Sequence, residues 1–212
     1  DDGDFNTAVG YQALKDQTGV SGTVGNTAVG YYAGTNITTG IKNTILGTYA
    51  GYTSLLVDNT VLLGYNAGGS GAMTAGADGT IAIGFSALQA LTTGASNIAI
   101  GINALKVHTT GARNIAIGEL TMTDTNAGST SLGSADNVFI GYTAGGGTWT
   151  DAASNQNIGI GTNVMNGALA GALNNVGIGT NALRSITSAD SNTAVGYLAG
   201  NDLTTGHSNV LL

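Results

Sequence analysis

A glycine that recurs behind an aliphatic residue constrains this chain more than any other feature. It stands at Gly10, Gly30, Gly47, Gly64, Gly84, Gly101, Gly118, Gly141, Gly161, Gly179 and Gly196, at spacings of 17 to 23 residues with 17 the commonest. A twelfth copy runs to Asn209-Val210-Leu211-Leu212. Self-similarity at such a period marks stacked rungs, because a unit this short buries its apolar side chains only against its neighbours. The stretch NIAIGINALKVHTTGAR, followed by NIAIGELTM, shows the unit most clearly, with Asn97, Ile100, Gly101, Ala104, Asn114, Ile117 and Gly118 at its fixed positions.

The residue before the glycine is aliphatic in every copy, as in Val9, Leu46, Ile83 and Ile160. Two places earlier stands Thr or a β-branched aliphatic (Thr7, Val61, Ile81, Ile98), and between them mostly a small residue (Ala82, Ala99, Ala116). Alternation among good strand formers predicts a short strand. An Ala three places after the glycine, as in Ala13, Ala33 and Ala104, then Leu, Met or Gly, predicts a second short strand. The rest is turn chemistry, with Thr-Thr-Gly at residues 38–40, 92–94, 109–111 and 204–206. A helix is excluded: the apolar stripe is missing, and each glycine would cost about 1 kcal/mol in a helix. Most charges, including Lys15, Lys106, Arg184, Asp58, Asp78 and Asp190, fall in the connecting half. The strand side is therefore expected to be buried and the connecting half solvated.

The expected fold class is all-β, a parallel β-solenoid with about one rung per repeat. Residues 1–212 read as one repetitive domain with insertions near 65–79 and 119–156. Proline is absent, which suits unbroken ladders. Cysteine is absent too, which removes disulfide and thiolate chemistry. A net charge of −7 with no basic patch makes nucleic acid a poor partner. No apolar run reaches the ~20 residues of a membrane span. Each rung offers few large apolar side chains, so a lone chain predicts a thin core and lateral association into an intertwined homotrimer.

An aromatic residue often follows the glycine: Tyr11, Tyr31, Tyr65, Phe85, Tyr142 and Tyr197. These either pack between rungs and chains or form a strip for glycans or another surface. Trp149, the single tryptophan, lies in an insertion and is either a plug or a contact residue. Trp149, Tyr142, Tyr31 and Tyr65 are the candidate surface contacts. The Asn that opens most strands, including Asn26, Asn43 and Asn157, predicts a hydrogen-bonded amide ladder along the stack. His108 and His207 read as loop residues, and Asp1, Asp2 and Asp4 as a solvated acidic lead-in. Glu119 is the only Glu, with Asp124 the nearest Asp. Two carboxylates suffice for glycoside hydrolysis, yet no other feature supports it. No catalytic, metal or cofactor site is assigned, and the chain is expected not to be an enzyme.

The segments NTAVGYQAL (Asn6–Leu14), NIAIGINAL (Asn97–Leu105) and NTAVGYLAG (Asn192–Gly200), with their LTTG connectors, resemble the YadA-like head repeat of trimeric autotransporter adhesins. The same repeat occurs in bacteriophage tail fibres and related surface fibres. The resemblance implies a left-handed β-roll in which three chains share an axis. It also implies an adhesive or receptor-binding segment that is extracellular, on a cell surface or on a virion fibre. The expected partners are the chain itself and a host or matrix glycan or protein. The alternative is a structural extracellular filament or matrix protein built by stacking rungs end to end. The chain is expected either to continue past Leu212 or to dock there on another subunit.

Overall fold

The computed structural model describes residues 3–18, 22–125, 133–150 and 152–212. Asp1, Asp2, Asp151 and parts of the insertions after Gly10 and Gly118 lie outside them. Twelve short strands form one sheet: β2 (Thr7–Val9), β4 (Thr27–Val29), β5 (Thr44–Leu46), β6 (Val61–Leu63), β7 (Ile81–Ile83), β8 (Ile98–Ile100), β9 (Ile115–Ile117), β10 (Val138–Ile140), β11 (Ile158–Ile160), β12 (Val176–Ile178), β13 (Thr193–Val195) and β14 (Val210–Leu211). A two-stranded pair, β1 (Gly3–Asp4) with β3 (Gly22–Thr23), lies beside it in sequence. The large sheet is parallel throughout, and its spatial order is its sequence order. Equivalent residues face each other, as in Ile98↔Ile115, Ala99↔Ala116 and Ile100↔Ile117. This is a parallel β-solenoid, with one strand per repeat. At about 4.8 Å per strand the sheet is roughly 50–55 Å long.

Each strand ends at the repeat glycine for a steric reason. Gly101 holds φ +138, and a Cβ there would sit 2.4 Å from the Gly118 carbonyl oxygen of the next rung. Only a residue without Cβ allows the backbones to approach this closely.

Among the described residues the predicted second strand is absent, and a curved turn replaces it. The second and fourth residues after the glycine adopt left-handed backbone, as in Asn103 (φ 57) and Leu105 (φ 49). Bonding between rungs nonetheless continues through the turn. Asn103 N–H donates to Phe85 O at 2.9 Å, and Leu105 N–H to Thr121 O at 3.0 Å. These bonds and the burial of Leu105 offset the ~1–2 kcal/mol that a left-handed Leu costs.

The core lies between the strand and this turn. The middle strand residue points inward (Ala28, Ile45, Leu62, Ala82, Ala99, Ala116, Phe139, Ala194), and the fourth residue after the glycine points at it. Their sizes compensate. Where the inner strand residue is Ala or Gly, its partner is typically large: Ala82 with Leu88, Ala99 with Leu105, Ala116 with Met122, Gly177 with Leu183. Where it is Ile45, Leu62 or Phe139, the partner is Gly51, Gly68 or Gly145. A Cβ on Gly145 would come within 2.9 Å of the Phe139 ring, and one on Gly51 within 2.9 Å of Leu62 Cδ1.

The connecting half is not simply solvated turn. Ile37, Val57, Met73, Leu91, Leu169 and Ile186 come from it and are fully buried. A single chain thus closes its own core, thicker than the strands alone suggest. The sequence signal was present, since Ile37, Leu91, His108 and Ile186 all stand seven places after their glycine.

Candidate interaction surface

If the middle strand residue is inside, its two neighbours must point out, because side chains alternate along a strand. The expectation of a wholly buried strand side is corrected here. The outer residues are Val61 and Leu63, Ile81 and Ile83, Ile98 and Ile100, Ile115 and Ile117, Val138 and Ile140, Ile158 and Ile160, Val176 and Ile178. All are part-exposed or exposed, while the residue between them is buried. Ile158, Ile160 and Ile178 keep 38–39% of their surface in contact with solvent. In β2, β4 and β5 the first outer residue is instead an exposed threonine: Thr7, Thr27 and Thr44. No outer position on any of the twelve strands carries a charge. A solvated sheet face normally alternates apolar-in with polar-out; this one is aliphatic on the outside.

The residue just past each glycine borders that face. In the first rungs this column is aromatic except at Thr48, and it joins further rings from the turn. Tyr11 stacks on Tyr31 at 5.5 Å, and Tyr31 meets Tyr32 edge-on at 4.4 Å. Tyr32 stacks on Tyr49 at 5.6 Å, Tyr49 meets Tyr52 and Tyr65, and Tyr65 stacks on Phe85 at 5.4 Å. The seven rings form one continuous patch across five rungs. Tyr11, Tyr31, Tyr65 and Phe85 are exposed in it. Desolvation by its neighbours, with hydrogen bonding to Tyr32, pushes the Tyr31 hydroxyl up to about 12, so it stays a neutral donor. Tyr142 is equally exposed but stands apart, between Glu119 and Thr162 in the same column.

Trp149 is removed from the surface contacts. It is fully buried, donates from Nε1 to Gly145 O at 2.9 Å and meets Phe139 edge-on at 5.9 Å. Gly145 and Gly159 leave the room that this aromatic pair fills: a Cβ on either would fall within 2.9 Å of the Phe139 ring.

The asparagine column is internal. Asn157 Nδ2 donates to Ala172 O at 2.8 Å, and its Oδ1 accepts from Asn175 N–H at 3.1 Å and Nδ2 at 2.9 Å. The pattern repeats at Asn114, Asn137, Asn175 and Asn192. Each amide ties strand entry to the next rung's connector. Thr60 and Thr80 interrupt the column, and the buried Thr80 Oγ1 has no hydrogen-bond partner.

His108 lies in a connecting loop as expected, but the loop carries it into the core. It is fully buried, with Nδ1 3.0 Å from Thr125 Oγ1 and Nε2 3.0 Å from Gly111 O. Burial lowers its pKa from 6.5 to about 4, the contact with Gly111 opposing this. His207 is exposed at another repeat position, beside Asp190 at 3.6 Å. On the connecting side Arg113 grips Asp136 through two bonds of 2.6 and 2.8 Å, which hold the Asp136 carboxyl below its ordinary range.

Glu119 is exposed in the column past the glycine, whereas the Asp124 carboxylate accepts from Thr148 Oγ1 at 2.7 Å. Among the described residues no group of three His, Cys, Asp or Glu side chains is placed to hold a metal ion. No helix there is long and apolar enough to cross a membrane. The geometry thus presents a stack of rungs with an outer face that is aliphatic from β6 to β12 and an aromatic patch on the first rungs. Comparison with protein-family models, curated proteins and solved structures gives no match to the chain.

Proposed function

We propose that this chain is a non-catalytic adhesive or receptor-binding fibre segment, displayed outside a cell or on a virion and working as a homotrimer. The observation that carries the reading is the seven-ring patch on the first rungs. Tyrosine joins a large apolar ring to a hydroxyl and loses little side-chain entropy when it docks, which is why it is enriched in interfaces. Here the rings are pre-ordered by mutual contact and set on a solenoid that a ladder of backbone bonds makes stiff. Exposed Thr7, Thr27 and Thr44 lie on the same rungs and add hydroxyls. The repeat's resemblance to YadA-like heads supports the same reading, including three chains about one axis.

The test is binding of the purified chain to glycan, matrix-protein and cell-surface panels, with Tyr31→Ala and Tyr49→Ala variants alongside. A hit weakened at least tenfold by either variant, with unfolding midpoints retained, supports the proposal. Silence across the panels, together with fibres in electron micrographs, supports a structural filament instead.

A further inference from the structure

We infer that the tyrosine patch on the first rungs is an oxidative cross-linking site, where Tyr11 couples to Tyr31 and Tyr32 to Tyr49 as dityrosine. The links staple the first rung of the solenoid to those behind it. The inference goes beyond the binding function proposed above and does not depend on it.

The fold brings phenols together in matched pairs. Tyr11 and Tyr31 both stand directly after a repeat glycine, and Tyr32 and Tyr49 both stand two places after one. The rings of each pair are near-parallel, at 5.5 Å and 17° for Tyr11 with Tyr31 and 5.6 Å and 12° for Tyr32 with Tyr49. The backbone ladder holds them there: Tyr32 N–H donates to Tyr11 O and Tyr49 N–H to Tyr31 O, each at 2.9 Å. Tyr11 and Tyr31 are exposed, so their rings are free to tilt until the carbons beside the two hydroxyls meet. Tyr11, Tyr31, Tyr32, Tyr49, Tyr52 and Tyr65 of the patch are six of the chain's eight tyrosines; Tyr142 and Tyr197 lie on later rungs.

Composition and burial steer oxidation to these rings. Thiols and thioethers are common targets of oxidants. The chain has no cysteine, and its three methionines, Met73, Met122 and Met165, are fully buried, as is its single tryptophan, Trp149. The Tyr31 hydroxyl hydrogen-bonds to Tyr32 and Tyr49, which gives a phenolic proton somewhere to go as its electron leaves.

The oxidant is hydrogen peroxide, used by a haem peroxidase. Two phenols each give up one electron and one proton and become phenoxyl radicals, while one peroxide is reduced to two waters. The radicals join through a ring carbon ortho to each oxygen, forming a C–C bond. The hydrogen on each of those carbons moves to the oxygen and restores the phenol. Each link therefore consumes one peroxide and removes two hydrogens from the chain.

The first rung is where such a link matters. In this structure β2 is an edge strand, with Thr7, Ala8 and Val9 all exposed, whereas Ala28, the equivalent of Ala8 in the next rung, is fully buried. A rung that contacts a neighbour on one side only opens most readily. A covalent tie across one repeat opposes that opening as a disulfide does.

The experiment exposes the whole chain, in dilute solution, to hydrogen peroxide and a haem peroxidase, and compares it with Tyr31→Phe and Tyr32→Phe. Phenylalanine keeps the ring and its packing but has no phenol to oxidise. The expected product has the denatured mass of a single chain less two hydrogens per link, and it shows dityrosine fluorescence. Peptide mapping should join Tyr11 to Tyr31 and Tyr32 to Tyr49; Tyr31→Phe abolishes the first link and Tyr32→Phe the second. Trypsin cleavage after Lys15, exposed in the first rung, should slow by roughly threefold or more in the linked chain. No dityrosine, coupling only between separate chains, or a yield that neither variant lowers overturns the site. The expected links with cleavage after Lys15 unchanged overturn the stapling role and leave the site standing.

Discussion

Exchanging the sizes of Ala99 and Leu105 should be tolerated when done together and damaging when done singly. Both are fully buried and share one rung. Ala99→Leu alone adds three carbons opposite Leu105 in a filled core, an overpacking that costs about 1–3 kcal/mol or more. Leu105→Gly alone forfeits the ~2–5 kcal/mol of a buried Leu side chain. It also relieves the ~1–2 kcal/mol of holding Leu at φ 49, for a net loss of roughly 1–3 kcal/mol. Added independently, the two reach about 2–6 kcal/mol. The natural rungs Ile45 with Gly51 and Leu62 with Gly68 already use the exchanged arrangement. The double variant should therefore lie within about 1.5 kcal/mol of the natural chain, a coupling of at least ~0.5 kcal/mol and up to about 6 kcal/mol. Urea unfolding followed by circular dichroism reads all four midpoints. A double variant as unstable as the sum of its parts would refute the size-compensation argument.

Asn157→Ala removes two donated and two accepted bonds and leaves Ala172 O and Asn175 N–H without that buried partner, so a loss of about 3–5 kcal/mol is expected from the same unfolding curves. Thr80→Asn should go the other way and raise stability by roughly 1 kcal/mol, because it offers Asn97 N–H the acceptor that other rungs supply and replaces an unpaired Oγ1; a lowered midpoint would show that the gap is required by packing. His108 should make the rod acid-sensitive. Its pKa is depressed from 6.5 unfolded to about 4 folded, so its contribution is intact above pH 6.5 and lost as pH falls toward 4. At about 1.36 kcal/mol per pH unit the full loss is about 3 kcal/mol, and His108→Leu should flatten the midpoint between pH 6.5 and 5.

How much was legible divides along a physical line. Spacing and residue type determined the solenoid, the strand before each glycine and the asparagine ladder, because these arise from contacts between identical positions of adjacent rungs. Such contacts repeat, and a repeat is visible in one dimension. What faces what within a rung was decided only by the closed loop. A three-residue strand has one inward side chain and two outward ones, and alternation alone does not say which set is inside. The chain put Ala99 in and Ile98 and Ile100 out because Leu105 arrives from the turn to fill the interior. Trp149 and His108 went inside for the same reason: the connector folds back over the strand and carries whatever stands seven or eight places past its glycine into the core. The left-handed residues that make this return possible, such as Leu105 and Met122, are ordinary strand formers or helix formers by type. Local propensity therefore pointed to a second strand, and tertiary burial overrode it.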